Sequence, residues 1–449
     1  MIRRANGAEE VNWFSVLPNG WRTERLKRVV SLVTSGVSVN ASDVPAESHQ
    51  MGVLKTSAVS DGRFLPSENK TVWDTEINRL NCSVTKDTIV VSRMNTPTLV
   101  GASGYISDDF ENLYLPDRLW KLEFDRSRVH TPFMSYVLAS EGARAVLSCM
   151  ATGTSPSMKN LSIEELGSLS IPLPDKLVQE RIARFISTKI KQIDSLIFDK
   201  EKMLTLLEEK RVAFISRIVT RGLDKAVPLK SSGHAWLGKV PVHWEVWRLK
   251  HLAEVRGGLT LGKQYDSSEL YPYQYLRVAN VQDGFLALNN VSTLEVPSSE
   301  AKANLLAYGD VLMNEGGDID KLGRGCVWRD EIKPCLHQNH VFAVRPHSVD
   351  SEWLALWTST LEAKRYFEMR AKRSTNLASI SGSNIKELAV PIPPIAEQQA
   401  IKRHLDTAAV RTEAIRKELA ESISLLRERR AALITDAVTG KIPLEEMTA

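Results

Sequence analysis

Two long stretches of the chain, near 175–221 and 394–439, carry apolar residues at spacings of three, four or seven. Neither contains an internal Pro or Gly. A stripe with a period of about 3.5 residues sustained this far predicts a coiled coil or a long paired helix. The alternative is that both helices belong to the core of one large domain, which rarely houses two helices of this length. The stripe residues are Ile182, Ile186, Ile190, Ile193, Ile197, Leu204, Leu207, Phe214 and Ile218 in the first stretch, and Ile401, Leu405, Ala408, Ile415, Leu419, Leu426, Leu433 and Ala437 in the second.

Short apolar runs alternate with Gly, Pro, Asn and Asp turns in the regions before the two helices. DTIVVSRM (87–94) and GDVLMNEG (309–316) are typical of buried strands that end at loops, and HVFAVRP (340–346) alternates as a strand does. TPFMSYVLASEGARAVL and SEWLALWTSTLEAKRYF have the spacing of amphipathic helices. Each region is therefore predicted to be a compact α+β domain.

The second half of the chain repeats the first. At an offset of 219 positions (393 − 174 = 219), Pro174 aligns with Pro393 and Gln179 with Gln398, and no gap is needed over some 47 positions. Near the start of each half, LPNGWRTERLK aligns with VPVHWEVWRLK. The offset drifts by a few residues inside each half and holds at the ends. The two halves therefore share a framework and differ in their interiors.

The repeat divides the chain into seven segments. The predicted boundaries are 1–15 for an N-terminal arm, 16–172 for the first α+β domain, 173–222 for the first long helix, 223–239 for a linker, 240–391 for the second α+β domain, 392–440 for the second long helix, and 441–449 for a C-terminal tail. Glycines in RG (221–222) and TGK (439–441) are expected to stop the helices.

Composition narrows the class of protein. The 449 residues are 43% apolar and 25% charged, the range of a globular protein, and the formal net charge of +4 permits nucleic-acid binding only where Lys and Arg cluster. Cys82, Cys149, Cys326 and Cys335 form no CxxC pair, which favours a reduced cytosolic protein. The sequence shows no signal peptide and no run of about 18 apolar residues, so no transmembrane helix is expected.

The sequence GGLTLGKQ (257–264) has the glycine and lysine spacing of a phosphate-binding loop. Such a loop holds Mg²⁺ through a hydroxyl after the lysine, and this chain has Gln264 there. The equivalent stretch of the first half, SGVSVNASD, has no lysine. A glycine turn is the better interpretation, with Lys263 available for a DNA phosphate.

Other catalytic patterns are also weak. Cys326, Cys335, His337 and His340 are zinc-binding residue types, but their spacing fits no usual zinc pattern and the first half has no counterpart. Pro116-Asp117 lacks the further carboxylates and lysine of a metal-dependent nuclease. The chain contains no G-x-S-x-G and no Asn/Asp-Pro-Pro-aromatic signature of amino methylation. We therefore predict a binding protein that holds no metal and catalyses no reaction.

The chain has two α+β domains with different interiors, and each domain ends in a proline-rich entry into a long helix. In this organisation the chain resembles the specificity subunit of type I restriction-modification systems. The resemblance covers essentially the whole chain. It is carried by VPIPPIAEQQAI (390–401), IPLPDKLVQERI (171–182), LPNGW (17–21), VPVHW (240–244) and LRERRAALITDAVTGKI (426–442). The first proline motif departs from the pattern at Asp175 and Val178, where the second has Pro394 and Glu397.

The resemblance implies a mixed α+β fold in which two tandem target recognition domains alternate with two helices that pair as an antiparallel coiled-coil spacer, in a pseudo-two-fold internal repeat. Each domain is expected to read one half of a bipartite, asymmetric site in double-stranded DNA. The spacer is expected to set the gap between the halves and to dock two modification (methyltransferase) subunits. Restriction subunits, the translocase and endonuclease, complete the complex. DNA methylation would be the reaction of the partners.

On this resemblance the chain itself binds no cofactor. S-adenosylmethionine, ATP and Mg²⁺ are expected on the partner subunits, and the complex is expected in the cytoplasm. Two other functions are left open by the residues alone. One is a self-sufficient DNA methyltransferase, and the other is a coiled-coil scaffold with two protein-binding heads.

DNA recognition needs Lys and Arg for phosphates, and Arg, Lys, Asn, Gln, Ser and Thr for base edges. The most attractive loops are TGTSPSMKN and KRSTNLAS, because both are polar and they are equivalent in the repeat. The predicted DNA-binding residues are Lys55, Arg63, Arg93, Asn95, Thr96, Arg118, Ser155 and Lys159 in the first half, and Lys263, Gln274, Arg277, Lys321, Arg324, His337, Gln338, Asn339, Lys372 and Arg373 in the second.

The apolar stripes of the long helices have two predicted uses, packing of the spacer on itself and docking of a partner helix, and we expect both. The predicted partner-interface residues are Ile182, Ile186, Ile190, Ile193, Leu204, Leu207, Ile401, Leu405, Ile415, Leu419, Leu426 and Leu433.

Overall fold

The computed structural model describes residues 13–447 with the exception of 61, 156, 263, 264, 266–268, 318, 320, 321 and 374–376. Contacts divide the chain into two compact units, which we call unit 1 (residues 1–201 and 420–449) and unit 2 (residues 202–419). Each unit contains one α+β domain and a part of each long helix. Among the described helices, none has the length and apolar character needed to cross a membrane.

Unit 1 contains sixteen strands and three short helices in its described part. The strands are β1 Arg22–Arg25, β2 Val30–Ser35, β3 Ala41–Ser42, β4 Gly52–Leu54, β5 Val59–Ser60, β6 Arg63–Phe64, β7 Asn69–Val72, β8 Ser83–Val84, β9 Thr88–Ser92, β10 Met94–Asn95, β11 Ser103–Ile106, β12 Phe110–Tyr114, β13 Leu119–Phe124, β14 Thr152–Ser155, β15 Met158–Asn160 and β16 Ser170–Leu173. The helices are α1 Thr131–Ala139, α2 Glu141–Met150 and α3 Ile163–Ser168, followed by the long helix α4 Lys176–Arg221.

The α+β domain of unit 1 is built on two main sheets. One has the strand order β11-β9-β13-β2 and the other β3-β7-β4-β12-β8. Helices α1 and α2 cover the first sheet, and their apolar faces share one core with the start of α4. Strands β1 and β16 pair at the exit to α4, and a small sheet of order β10-β15-β14 lies apart from the two main sheets.

Unit 2 contains fourteen strands and four short helices in its described part. The strands are β17 Leu229–Ser231, β18 Lys239–Pro241, β19 Glu245–Arg248, β20 Ala253–Arg256, β21 Tyr271–Leu276, β22 Ser292–Val296, β23 Val311–Asn314, β24 Gly316–Gly317, β25 Gly325–Val327, β26 Cys335–His337, β27 Val341–Pro346, β28 Lys372–Arg373, β29 Ala378–Ser379 and β30 Ala389–Ile392. The helices are α5 Ser298–Asn304, α6 Ser351–Thr358, α7 Leu361–Arg370 and α8 Gly382–Lys386, followed by the long helix α9 Ile395–Val438.

The strand order of unit 2 repeats that of unit 1. A four-stranded sheet of order β20-β27-β23-β25 corresponds to β2-β13-β9-β11, and the pair β19-β30 corresponds to β1-β16. The small sheet recurs as β24-β29-β28. One parallel pairing is also shared, β4 with β12 in unit 1 and β21 with β26 in unit 2. The predicted internal repeat is therefore confirmed at the level of topology.

The two long helices are confirmed, with 46 residues in α4 and 44 in α9. They run antiparallel within each unit. In unit 1, Arg430 contacts Asp194 at 3.2 Å and Arg427 contacts Glu201 at 2.8 Å, so the numbering falls on one helix as it rises on the other. Both helices end at a glycine in the left-handed region, as the sequence predicts, with φ of +75° at Gly222 and +73° at Gly440.

Each α+β domain is joined to a long helix that begins in the other half of the sequence. In unit 1, the Thr435 hydroxyl of α9 accepts a hydrogen bond from the backbone N–H of Glu141, the first residue of α2, at 3.4 Å. In unit 2, the Ser216 hydroxyl of α4 accepts the equivalent bond from Leu361, the first residue of α7, at 2.7 Å. The two hydroxyls are equivalent in the repeat because 435 − 216 = 219. Each satisfies a helix N–H that has no partner inside its own helix.

Candidate nucleic-acid interface

The small sheet of unit 1 brings together several of the predicted DNA-binding residues. Asn95 of β10 faces Lys159 of β15 in the antiparallel register, and β15 pairs with β14, which ends at Ser155. Gly153 lies so close to the backbone of Met158 that an added Cβ would be 2.2 Å from its carbonyl oxygen. Glycine at that position therefore allows β14 and β15 to approach each other, and β15 in turn pairs with β10.

Arg93 and Arg118 lie next to this sheet. The backbone N–H of Arg93 donates to the carbonyl oxygen of Arg118 at 3.0 Å, and the carbonyl of Arg93 accepts from Leu161 at 2.8 Å. The guanidinium of Arg93 stacks over the Trp120 ring, 5.5 Å from the centroid. This cation–π contact fixes the direction of the side chain. The Arg118 side chain is exposed, so it is available to a phosphate.

The loop after β10 is held by α2. Arg144 donates to the carbonyl of Val100 at 2.5 Å and to that of Thr98 at 2.9 Å, and Ser148 donates to the carbonyl of Pro97 at 2.6 Å. No sequence pattern points to Arg144 or Ser148, because no spacing rule relates a helix residue to a loop so far away in sequence. At the loop start, the Thr96 N–H donates to the Asn95 side chain at 2.9 Å.

Two predicted residues of the first half lie elsewhere. Lys55 pairs with Asp43 at 3.5 Å, and the stronger contact of Asp43 with Lys70 at 3.0 Å is the main reason that its pKa is lowered. Arg63 contacts Asp194 of α4 at 2.6 Å. Its guanidinium is thus paired inside unit 1, although the side chain is 48% exposed, so the DNA contact of Arg63 stays a prediction.

In unit 2 the small sheet carries Lys372 and Arg373 on β28. Both side chains are exposed, and their backbones face Ser379 and Ala378 of β29. Residues 374–376 of the same loop lie outside the described residues, as do Lys263 and Lys321. The described strand residues of the two equivalent loops therefore belong to equivalent sheets in the structure.

Three more predicted residues surround the loop before β27. The backbone N–H of Gln338 donates to the carbonyl of Leu276 at 2.9 Å, and its side-chain oxygen accepts from Val278 at 3.4 Å. The N–H of Asn339 donates to Leu259 at 3.0 Å, while Arg277, between Leu276 and Val278, is half-buried. These contacts bring Arg277, Gln338 and Asn339 close together.

Two other predicted side chains of this half, those of Arg324 and Gln274, are already paired. Arg324 donates to the side-chain oxygen of Gln282 at 2.9 Å, and Gln274 donates to Thr293 at 3.3 Å across the β21-β22 pair. His340 is a zinc-binding residue type that the sequence does not predict to contact DNA. Its Nδ1 lies 2.6 Å from a carboxylate oxygen of Glu315. The backbone of Glu315 bonds to both His340 and Ile380, so this pair connects the loop before β27 to the small sheet.

His337 does not lie on the surface, and the prediction that it contacts DNA is wrong. It is only 1% exposed, and its Nδ1 lies 2.7 Å from the carbonyl oxygen of Val341. Burial lowers the pKa of the imidazole, because the charged form loses its hydration. It occupies the core position at the end of β26.

The residues considered for zinc are not arranged as a metal site. Burial raises the pKa of both the Cys326 and the Cys335 thiol to about 12, because the charged thiolate would lose its hydration. Within residues 13–447, apart from the gaps named above, no group of three or more His, Cys, Asp or Glu side chains is placed to hold a metal ion.

The stripes on the long helices divide by burial. Ile182, Ile186 and Ile190 pack into the core of unit 1, and Ile401 and Leu405 pack into that of unit 2. The prediction that these five residues contact a partner subunit is wrong, because the chain's own core covers them. Ile193 is also buried. The half-buried or exposed remainder of the predicted interface is Leu204, Leu207, Ile415, Leu419, Leu426 and Leu433.

Several strongly exposed apolar residues of the long helices are not part of the periodic stripe, so the stripe does not predict them. These lie off the stripe and include Leu196, Phe198, Met203, Leu206, Val410 and Leu425. An amphipathic pattern identifies the face that packs, so apolar residues on the opposite face give no periodic signal. They could have been noticed only as large apolar residues among charged neighbours.

Comparisons with known proteins agree on one family. The family model described as the type I restriction modification DNA specificity domain matches residues 241–424. The chain is 21% identical over 445 residues to the type I restriction enzyme EcoKI specificity subunit of Escherichia coli K12, covering 95% of this chain and 90% of that protein. It is 20% identical over 434 residues to the StySPI specificity subunit of Salmonella potsdam, with the same coverage.

A solved structure shows the same fold. The chain superposes with a TM-score of 0.68 and 16% identity on a chain from the structure described as the basis of complex assembly and conformational transition of the type I R-M system. The match covers 95% of this chain and 100% of the other. The architecture of α+β domains joined to long helices is therefore shared over the matched 95% of this chain.

Proposed function

We propose, from the premise that this chain belongs to the specificity subunits of type I restriction-modification systems, that it selects the DNA sequence on which a methyltransferase complex acts. Each α+β domain, which we now call a recognition domain, reads one half of a bipartite and asymmetric site in double-stranded DNA. The observation that carries the proposal is the small sheet, which occurs once in each domain with Lys, Arg or Asn side chains at its surface.

The two small sheets supply different chemistry. In unit 1 Asn95 and Lys159 lie side by side, with the exposed Arg118 nearby, whereas unit 2 offers Lys372 and Arg373 on one strand. Lys and Arg attract phosphates irrespective of sequence, and an amide such as that of Asn95 can pair with a base edge. Since the sheets have the same topology and different side chains, the two half-sites are expected to differ.

The reactions belong to partner subunits in this proposal. S-adenosylmethionine would be held by two modification subunits, and ATP and Mg²⁺ by the restriction subunits, while this chain supplies sequence recognition and catalyses nothing. The cytoplasmic location predicted from the sequence fits a complex that acts on DNA.

The long helices are proposed to dock the modification subunits and to set the gap between the half-sites. Support comes from the exposed apolar residues of α4 and α9, such as Phe198 (65% exposed) and Val410 (74% exposed). Helix surfaces that face only solvent rarely carry so many large apolar residues. Neither helix contains an internal Pro or Gly, so each can act as a stiff element. Lengthening both helices would change the gap and leave the half-sites unchanged.

Methylome sequencing of a host that carries the complete system tests this function. The expected result is one methylated motif with two defined halves separated by unread positions. Exchanging residues 27–155 for the equivalent segment of another specificity subunit should then alter one half only. A change in both halves, or methylation without sequence preference, would contradict recognition by two separate domains.

A further inference from the structure

An exposed apolar residue occupies the same place in both small sheets. Met158 is the first residue of β15, faces Ser155 across the turn from β14, and is 40% exposed. Leu377 directly precedes β29 and is 59% exposed. The two positions are equivalent in the repeat, because 377 − 158 = 219 is also the offset between Ser155 and Ser374.

The surroundings of both residues are polar and basic. Met158 is followed by Lys159, whose neighbour across the sheet is Asn95. Leu377 lies beside the strand pair that carries Lys372 and Arg373. A single exposed apolar residue is common on protein surfaces and needs no explanation. Exposed apolar residues at equivalent positions of two sheets, each next to cationic side chains, point to a ligand that is apolar inside and anionic outside.

Stacked base pairs between two phosphate backbones have this chemistry. Unbranched or γ-branched apolar side chains such as Met and Leu can enter between two base pairs, partly unstack them and kink the duplex. The neighbouring lysine and arginine side chains can contact the phosphates on either side of the opened step.

We propose that Met158 and Leu377 are wedges, each inserted into one base step of the half-site that its recognition domain reads. The proposal rests on the proposed function and adds a deformation of the DNA to it. A contact with a thymine methyl group would be the other use of an apolar side chain on DNA. The wedge is favoured for the following reason. The interiors of the two recognition domains differ, so the DNA half-sites that they read should differ in sequence, whereas the apolar residue is present in both domains. A contact that serves two unlike sequences must be tolerant of sequence.

The test uses the full-length chain assembled with its modification subunits, on duplexes that contain the motif found by methylome sequencing. The fluorescent base 2-aminopurine replaces one purine at a time, except the methylated adenine, and its emission rises where stacking is lost. The wild-type complex should raise the emission at one step in each half-site. Met158→Ala should abolish the rise in one half-site and Leu377→Ala in the other, and each should weaken binding by about tenfold.

Matched variants separate a wedge from a general loss of apolar surface. Met158→Leu and Leu377→Met should keep both the emission and the affinity. Leu32→Ala in β2 and Met369→Ala in α7 remove residues that are 48% and 66% exposed and are outside the small sheets, and they should change neither. Circular dichroism of each variant verifies that the fold is intact.

The outcomes distinguish this proposal from the function on which it rests. If the wild-type complex has no sequence preference, the proposed function fails and the wedge fails with it. If it binds its motif and the alanine variants keep both emission and affinity, only the wedge is wrong. A loss of affinity on replacing thymine by uracil, with no rise in emission at any step, would assign Met158 and Leu377 to thymine methyl contacts and overturn the wedge.

Discussion

The side-chain nitrogen of Gln179 donates a hydrogen bond of 2.8 Å to the backbone carbonyl oxygen of Pro174. Gln398 donates the same bond, also of 2.8 Å, to Pro393 in the second half. Both glutamines are buried. Each bond closes the junction at which the last strand of a recognition domain becomes a long helix. The proline and the glutamine of the repeated sequence motif are therefore the acceptor and the donor of one hydrogen bond.

The two junctions should differ in strength. Gln179 also donates to the carbonyl of Arg128 at 3.0 Å and accepts from the N–H of His130 at 2.9 Å, whereas the side-chain oxygen of Gln398 is buried with no hydrogen-bond partner among the described residues. We expect Gln179→Leu to lower the free energy of unfolding by about 3 kcal/mol and Gln398→Leu by about 1 kcal/mol, because only the first leaves several partners unpaired.

Chemical denaturation of the purified chain measures both changes. Gln399→Leu is the matched control, since Gln399 is exposed, and it should change the free energy of unfolding by less than about 0.5 kcal/mol. Equal losses for Gln179→Leu and Gln398→Leu would show that the additional bonds of Gln179 contribute nothing.

An ion pair between a buried carboxylate and a half-buried guanidinium supports the main sheet of unit 2. Asp310 is 0% exposed and accepts two hydrogen bonds from the guanidinium of Arg345, at 2.7 and 2.8 Å. Its counterpart in unit 1, Asp87 with Arg126 at 2.9 Å, is considerably more exposed. We expect Asp310→Asn to cost about 3 kcal/mol of unfolding free energy, because it leaves a cation with a poorer partner, and Asp87→Asn to cost less than about 1 kcal/mol.

Thermal unfolding of the two asparagine variants compares the pairs directly. The larger drop in melting temperature should belong to the Asp310 variant. If Asp87→Asn proved as damaging as Asp310→Asn, burial would not be what determines the contribution of this pair.

The buried imidazole of His337 predicts a pH dependence of stability. Its pKa in the folded chain is lowered below the ordinary value of 6.5, so at acidic pH the unfolded chain binds a proton that the folded chain does not. This difference destabilises the fold as the pH falls through the unfolded pKa, and it vanishes well above that value. We expect the wild-type free energy of unfolding to fall between pH 7.5 and 5.5 more steeply than that of His337→Leu.

Denaturation at several pH values for both proteins gives the two slopes. His130 has a pKa lowered by burial in the same direction, so some slope should remain in the variant. Parallel pH profiles for wild type and His337→Leu would contradict this assignment.

The exposed pair Lys372 and Arg373 predicts a salt effect. Replacing both by alanine in the assembled complex should reduce the slope of log affinity against log salt by about two, one for each phosphate contact. Binding should weaken at one half-site only. Lys302→Ala in α5 removes an exposed lysine outside the small sheet and should leave the slope unchanged. An unaltered slope in the double variant would show that β28 does not contact DNA phosphates.

Much of the fold could be predicted from the sequence because it depends on periodic or repeated signals. The stripe of Ile182 and Ile186 predicts a helix, and the alignment of Gln179 with Gln398 predicts a repeat. Polarity and equivalence in the repeat single out the loops TGTSPSMKN and KRSTNLAS, and the described strands within both belong to the small sheets.

The site residues were harder to predict, because exposure and pairing depend on contacts between distant segments. His337 is a polar residue type, yet it belongs to a core strand and its partner is the carbonyl of Val341. Arg63 is paired with Asp194, a residue of the long helix. Arg144 of α2 holds a loop that precedes it by more than forty residues, through the carbonyls of Thr98 and Val100. None of these contacts has a sequence spacing that propensity or periodicity can detect.

The hydroxyl of Thr435, near the end of α9, has a consequence for synthesis of the chain. It bonds to the first turn of α2, while Ile434, Val438 and Met447 complete the core of unit 1. The ribosome makes the first recognition domain early, but the residues that finish its core leave the exit tunnel only after the second recognition domain has been made. A chain that terminates before α9 is complete therefore lacks a complete first domain, however much of that domain's own sequence it contains. The fold thus makes the last turn of α9 a requirement for the first domain to mature.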